Sequence, residues 1–335
     1  MHPAAANPFY HRYLPAVTGG LALESREPLA QGLRRVTVEQ FDLALAVLAD
    51  QPHDVAVHEV RKATKRVRAV LRMVRPALGA RYKPEDAILR DIARVFAPYR
   101  DAHVRVASLE AMRARYDVHL RPTAFEAIAD RLNDLRERRF SALENGDDLR
   151  TVAFALRSAR ARYAAWPVDK RSAQAHGTAV IEHRFRSVGP GVDRTYAFGR
   201  DQMRSAERHP SAEQFHGWRK QAKYLRHQLE VLAPLFPEVL LGHAASLERL
   251  GDLLGEEHDL AELLRFLAGR PDLAPDTVER SMLVALVQHR RAELQAQSLS
   301  LGRRIYAESS DRFTRRIGTY WSAWDTPTPI GFSPE

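Results

Sequence analysis

The sequence predicts an all-α protein, and three observations carry that expectation. Apolar residues recur at three- and four-residue spacing through most of the 335 positions, and Ala, Leu, Arg and Glu dominate. No run of alternating β-branched and polar residues is long enough to set down a strand. A basic segment, V57HEVRKATKRVRAVLRMV74, returns 158 positions later as F215HGWRKQAKYLRHQLEVL232, so the helices are expected in two similar sets.

The helical period predicts helices over about 27–49, 54–76, 85–115, 121–145 and 148–165. It predicts a second set over about 193–208, 211–233, 238–268, 274–302 and 309–324. Breaks are expected where Pro or Gly interrupts the period, at Pro52, Pro76, Pro84, Pro122, Gly146, Pro167, Pro210, Pro234, Pro237, Pro271 and Pro275. At the offset of 158, Pro52 pairs with Pro210, Pro76 with Pro234, Leu71 with Leu229, Leu89 with Leu247 and Trp166 with Trp324. Those matches mark shared architecture. The organisation expected is one helical unit over 21–325, its first half about 25–166 and its second about 193–325. A connection rich in Pro and Gly runs over 167–192, and tails span 1–20 and 326–335.

The totals bound the partner. Fifty-one Lys and Arg stand against 42 Asp and Glu, a net charge of +9, which favours an acidic partner such as nucleic acid, anionic lipid or a phosphate polymer. The chain has no cysteine, which excludes disulfides and thiolate metal sites and fits a cytoplasmic location. No uncharged stretch exceeds eleven residues, well short of the roughly 20 apolar residues a membrane helix needs. The expectation is therefore no membrane partner.

Placement of the charges is more telling than their sum. With about 100° per residue and His58 set at 0°, Lys65, Arg72, Arg61, Arg68 and Lys62 fall between about 280° and about 40°. Val60, Val67, Val70, Leu71 and Val74 occupy the opposite face. In the second copy His216, Arg219, Lys220, Lys223 and Arg226 take the same arc, joined by His227, and Trp218, Leu225, Leu229 and Leu232 take the apolar one. A solvated helix face normally mixes signs, yet positions 61–75 carry seven Arg or Lys and no acid. Like charges at i,i+4 cost a few tenths of a kcal/mol per pair. Bearing that cost twice at matched positions points to a polyanion; a plain solvated face is the bland alternative. A second shared element sets Asp101 in Y99RDAH103 against Asp259 in E257HDLA261. These aspartates are expected to orient a basic residue or histidine of the stripes, or to form an interhelical ion pair of structural value only.

The paired H58EVRKATKRVRAVLR72 and H216GWRKQAKYLRHQLE230 helices, with their trailing Arg-Asp and His-Asp elements, resemble the CHAD family, the conserved-histidine α-helical domain. The resemblance covers about 25–325. It implies two pseudo-symmetric four-helix halves enclosing a basic central cavity, and binding of inorganic polyphosphate, in some members with association to polyphosphate granules. It would make His58, Arg61, Lys62, Lys65, Arg68 and Arg72 the contacts from one half. His216, Arg219, Lys220, Lys223 and Arg226 would be those from the other. Two departures stand out: Glu230 replaces the cation expected opposite Arg72, and Glu59 sits beside the first histidine. The E-x-E-x-K strand motif of the triphosphatase domain fused to some members is absent.

Residue chemistry fits the same ligand. Arg grips phosphate oxygens bidentately, and Lys adds a compact charge. Histidine titrates near pH 6.5, so His58 and His216 are expected to strengthen binding on mild acidification. The 14 histidines form no H-x-x-H, H-x-x-x-H or HExxH pattern, and E213QFH216 is a lone Glu-x-x-His, so no metal site is expected. No phosphate loop, nucleophile elbow or kinase signature appears, so neither a catalytic residue nor a cofactor is expected. A nucleic-acid or general polyanion binder is the main alternative, opposed by the scarcity of aromatic residues in the stripes. A metal-dependent phosphohydrolase is the third.

Overall fold

A computed structural model describes residues 21–24, 27–121, 123–166 and 181–326, and among these every regular element is helical. The first set comprises α1 (Leu29–Asp50), α2 (His53–Met73), α3 (Tyr82–Val95), α4 (Ala97–Arg115), α5 (Glu126–Asn145) and α6 (Asp148–Ala164). The second comprises α7 (Gly189–Arg208), α8 (Ala212–Val231), α9 (Pro237–Ala268), α10 (Thr277–Ile305) and α11 (Ser310–Asp325). The fold class read from the sequence therefore holds. The expected tails, apart from Thr326, and residues 167–180 of the connection lie outside the described residues.

Several helix starts have a local cause. Ser211, Asp276 and Ser309 accept hydrogen bonds from backbone N–H groups at the starts of α8, α10 and α11. Pro190 and Pro237 occupy the first turns of α7 and α9, where no N–H would be bonded anyway. For that reason α7 begins at Gly189, inside the stretch expected to be connection. Three other expectations are corrected. The helix expected over 85–115 is two, because Pro98 cannot donate to the preceding turn and the chain restarts after Phe96. Pro84 does not precede the first of them but lies within its opening turn, so α3 starts at Tyr82. Residues 121 and 123–125 are not helix, Pro122 lying outside the described residues: Phe125 takes a left-handed φ of 62°, fully buried, and α5 starts after it.

Three apolar clusters hold the helices. One joins the start of α1 and the end of α2 to α7, α8, α9 and α11, with Trp218, Tyr196 and Phe313 fully buried. A second packs α1, α2, α3 and α6 around Phe41, Phe96 and Tyr163. The third lies between α4–α5 and α9–α10, around Phe125, Leu263 and Leu283. Deleting a side chain of Trp218's size from such a core costs about 3–5 kcal/mol.

The first and third clusters tie the two sets of helices together. Gly191 is required here: a Cβ at that position would collide with the backbone of Met73, so only glycine lets α7 cross the end of α2. Gln228 donates to the carbonyl of Ala69 at 3.2 Å and to Thr195 Oγ1 at 3.1 Å, pinning α8 to α2 and α7. At the centre, α2 packs on α8, α8 on α9, α9 on α4 and α4 on α2. That closed ring of four helices positions the site.

Candidate anion-binding site

Each helix of the ring contributes charged groups. Apolar stripes turned into the cores leave the opposite faces of α2 and α8 towards one another, and Coulombic coupling registers the result. Lys65 on α2 feels Lys223 and Arg219 on α8, Arg61 on its own helix and Arg100 on α4. Lys223 in turn feels Arg219, Asp259 and Asp252 on α9, and Arg100. The structure thus brings His58, Arg61, Lys65, His216, Arg219 and Lys223 together from segments about 160 residues apart in sequence. Two glycines of α9 lie against them at ordinary contact distance. A Cβ at Gly251 would sit 3.5 Å from Cε of Lys223, and one at Gly255 would sit 3.4 Å from Arg219 Nη2. Arg61 reaches the α3 backbone, Nη1 donating to the carbonyl of Ala93 at 2.5 Å.

Of the two roles expected of Asp101 and Asp259, the interhelical ion pair is present at Asp259, between α4 and α9. Both grip Arg100, a residue of α4 outside the stripes. Nη2 donates to Asp259 Oδ1 at 2.6 Å, and Nη1 to Asp101 Oδ1 at 3.2 Å. Although burial opposes ionisation, Arg100 and Arg219 hold Asp259 below the usual carboxylate range. Arg100, missed in the sequence because its counterpart at the 158 offset is His258, therefore takes up Asp101 and Asp259. On α9, Asp259 and Asp252 act on Lys223 against the repulsion of Arg219 and Arg100. Lys62 is within 3.3 Å of Glu59, the acid noted beside His58, and Lys220 is exposed at the rim.

The far ends of the stripes behave differently. Arg68 is committed to Asp86, with Nε to Oδ1 at 2.9 Å and Nη2 to Oδ2 at 3.3 Å. Arg72 lies over the ring of Tyr224, 4.2 Å from its centroid. Arg226 is held by Glu230 at 2.7 Å and by Glu248 at 2.8 Å. His227 is buried, its Nδ1–H donating to Glu230 at 2.8 Å, and does not join the basic arc as expected. Glu230 is held low by that hydrogen bond and by Arg226, against the effect of burial. Arg66, Arg226 and Glu230, with Leu21 and Pro234, line a surface cavity of about 570 Å³ that includes neither Lys65 nor Lys223.

Electrostatics of the central cluster follow from crowding like charge in a half-buried place. The positive charge of Arg219, then burial, pushes the Lys223 ammonium down to about 7 from 10.5. Burial and Lys223 push Lys65 well below its usual value, and burial and Arg100 bring Arg61 to about 10. The histidines are displaced too. Burial, Lys65 and Lys62 lower His58 to about 3, although 48% of its side chain is exposed. Burial and Lys220 lower His216 to about 4. His216 also lies against His258, ring centroids 4.3 Å apart, and its buried Nδ1 has no hydrogen-bond partner. The expectation that the histidines titrate near pH 6.5 is thereby corrected: the group brought near neutrality is Lys223. Among the described residues no group of three or more His, Asp or Glu could hold a metal ion, and no helix is long and apolar enough to cross a membrane.

Comparison with known proteins places this architecture. No curated protein matches the chain. The crystal structure of the CHAD domain from the plant Ricinus communis superposes with a TM-score of 0.55 at 16% identity, over 93% of this chain and 97% of that one, which shows a common fold. The family model of the CHAD domain matches residues 32–268, from α1 to the end of α9 and so across all four helices of the ring. The chain belongs to the CHAD domain family.

Proposed function

We propose that this protein binds inorganic polyphosphate, without chemical turnover, in a basic cavity between its two duplicated halves, and that this binding directs it to polyphosphate granules. One observation carries the reading. Lys65 and Lys223 converge among Arg61, Arg219 and Arg100, while Arg100 holds the ion pairs with Asp101 and Asp259. Holding ammonium groups together in a half-buried cluster opposes folding, and their depressed pKa values register that opposition. A ligand carrying a negative charge on every unit removes the repulsion, so the folded protein is preorganised for a polyanion.

The family membership supports the same ligand class. The aromatic inventory opposes nucleic acid: Trp218 is fully buried and Tyr224 is 5% exposed beneath Arg72, so neither offers a face for base stacking. The test is titration with long-chain polyphosphate at two salt concentrations, with duplex DNA and single-stranded RNA as competitors. Tight, salt-sensitive binding that excess nucleic acid does not displace is expected. Equal displacement by DNA or RNA would replace this reading with a general polyanion surface.

A further inference from the structure

The surface cavity beside the central cluster is built by both sets of helices. Arg66 comes from α2, Arg226 and Glu230 from α8, and Leu241 from α9, around a volume of about 570 Å³. That size suits a small organic molecule, and such sites join an apolar wall to a few fixed polar groups. Leu21, Pro234 and Pro237 supply the wall, and Leu241 adds a large apolar side chain that is 49% exposed. The segment carrying Leu21 is pinned in place. Leu23 N–H donates to the Val231 carbonyl at 3.0 Å, and Arg35 donates to the Ala22 carbonyl at 3.0 Å.

Arg66 is the polar group of this cavity that the protein leaves unsatisfied. Among the described residues its guanidinium makes one hydrogen bond, from Nη1 to Gln40 Oε1 at 3.0 Å, and no ion pair. Its Nε is buried without an acceptor, and so is Nε2 of Gln40, a residue with no exposed surface. Two residues along the same helix, Arg68 shows the ordinary arrangement, with both Asp86 oxygens engaged. The acids whose fields reach Arg66 are Glu230 and Glu59, and the cation opposing them is Arg226. Each of these is taken. Glu230 is bonded to Arg226 at 2.7 Å and to His227 at 2.8 Å, Glu248 also holds Arg226, and Glu59 lies 3.3 Å from Lys62. A half-buried arginine with spare donors calls for an acceptor from outside the chain.

We propose that the cavity binds a small aliphatic monocarboxylate, its carboxylate on the Arg66 guanidinium and its chain against Leu21, Pro234, Pro237 and Leu241. A carboxylate matches the planar guanidinium fork and supplies the missing acceptor. The apolar wall selects for a hydrocarbon body, since a bare inorganic anion would leave that surface uncovered. One negative charge suits the cavity better than two, because Glu230 lines it as well and repels a dianion more strongly. Anion binding at the centre is not required. Lys65 and Arg66 are consecutive, about 100° apart around α2, so the cavity and the central cluster lie on different faces of that helix.

Calorimetric titration of the full chain with acetate, butanoate, hexanoate and octanoate tests this, with hexanamide as the uncharged control. Affinity is expected to rise from acetate to hexanoate, and hexanamide to bind about tenfold more weakly than hexanoate. Arg66→Met keeps an apolar stem and should weaken hexanoate by about tenfold at unchanged circular dichroism. Leu241→Ser, at an exposed position that folding tolerates, should flatten the chain-length series, and it decides the matter if Arg66→Met loses helix. Lys65→Glu with Lys223→Glu should leave hexanoate affinity unaltered. Absence of saturable binding by any of the acids, equal affinity for hexanoate and hexanamide, or wild-type affinity in folded Arg66→Met and in Leu241→Ser would overturn the proposal. Hexanoate binding lost in the double lysine variant and kept in Arg66→Met would also overturn it, placing the carboxylate at the central cluster instead.

Discussion

Replacing Lys223 by methionine should stabilise the protein, and by an amount that depends on pH. The side chain keeps its length and apolar stem and loses only the ammonium group, which stands among Arg219, Lys65 and Arg100. In the unfolded chain a lysine titrates at 10.5; here it is lowered to about 7. At about 1.4 kcal/mol per pH unit, retaining the proton at pH 6 opposes folding by up to about 5 kcal/mol. The side chain is half-buried and reaches water, which screens the repulsion, so a gain of about 1–3 kcal/mol is the expected result. The sign is fixed by linkage. Between about pH 7 and 10.5 the unfolded chain binds more protons at this site than the folded one, so wild-type stability rises with pH there. Below pH 7 both forms hold the proton and the full penalty applies. Urea unfolding of the wild type and Lys223→Met at pH 6 and pH 9 measures both terms. The variant should lead at pH 6, and its advantage should fall by at least half at pH 9. A variant less stable than wild type at pH 6, or an advantage equal at the two pH values, would refute the reasoning.

Further outcomes follow from the same geometry. Lys65→Glu combined with Lys223→Glu should leave the helical circular dichroism intact, because the new carboxylates meet Arg61 and Arg219, yet abolish polyphosphate binding. Unchanged affinity would remove these residues from the site. Affinity of the wild type should decline as pH rises above about 7, where Lys223 must take up a proton to bind an anion, and titrations in buffers of different ionisation enthalpy should detect that uptake. His58→Ala should leave this pH profile unmoved between pH 5 and 8, since His58 stays neutral down to about 3. Gly191→Ala should destabilise by about 2–4 kcal/mol in urea unfolding, because the added methyl meets the Met73 backbone rather than a flexible side chain.

What the sequence conveyed, and what it concealed, has physical causes. The α2 and α8 stripes were legible because a helix puts residues three, four and seven apart on one face, and because charge of a single sign there is costly without a partner. Buried Trp218 and the apolar arc of α8 were legible on the same wheel. Partners from other segments were not. Asp86, which holds Arg68, lies 18 residues away on α3, and Tyr224 under Arg72 comes from α8. Nothing local distinguishes these residues from any other acid or tyrosine. Arg100 escaped because it interrupts the match between the two copies, where His258 stands. The break between α3 and α4 was hidden because apolar spacing continued through Pro98.

The central claim is that both halves build one site, and the most direct measurement counts sites. Polyphosphate titrated into wild type, Lys65→Ala, Lys223→Ala and the double variant reports affinity and stoichiometry together. A shared site predicts that either single substitution weakens all binding by about tenfold, roughly 1.4 kcal/mol, at unchanged stoichiometry. Two independent sites would instead leave half of the binding at wild-type affinity in each single variant, and that result would contradict the account.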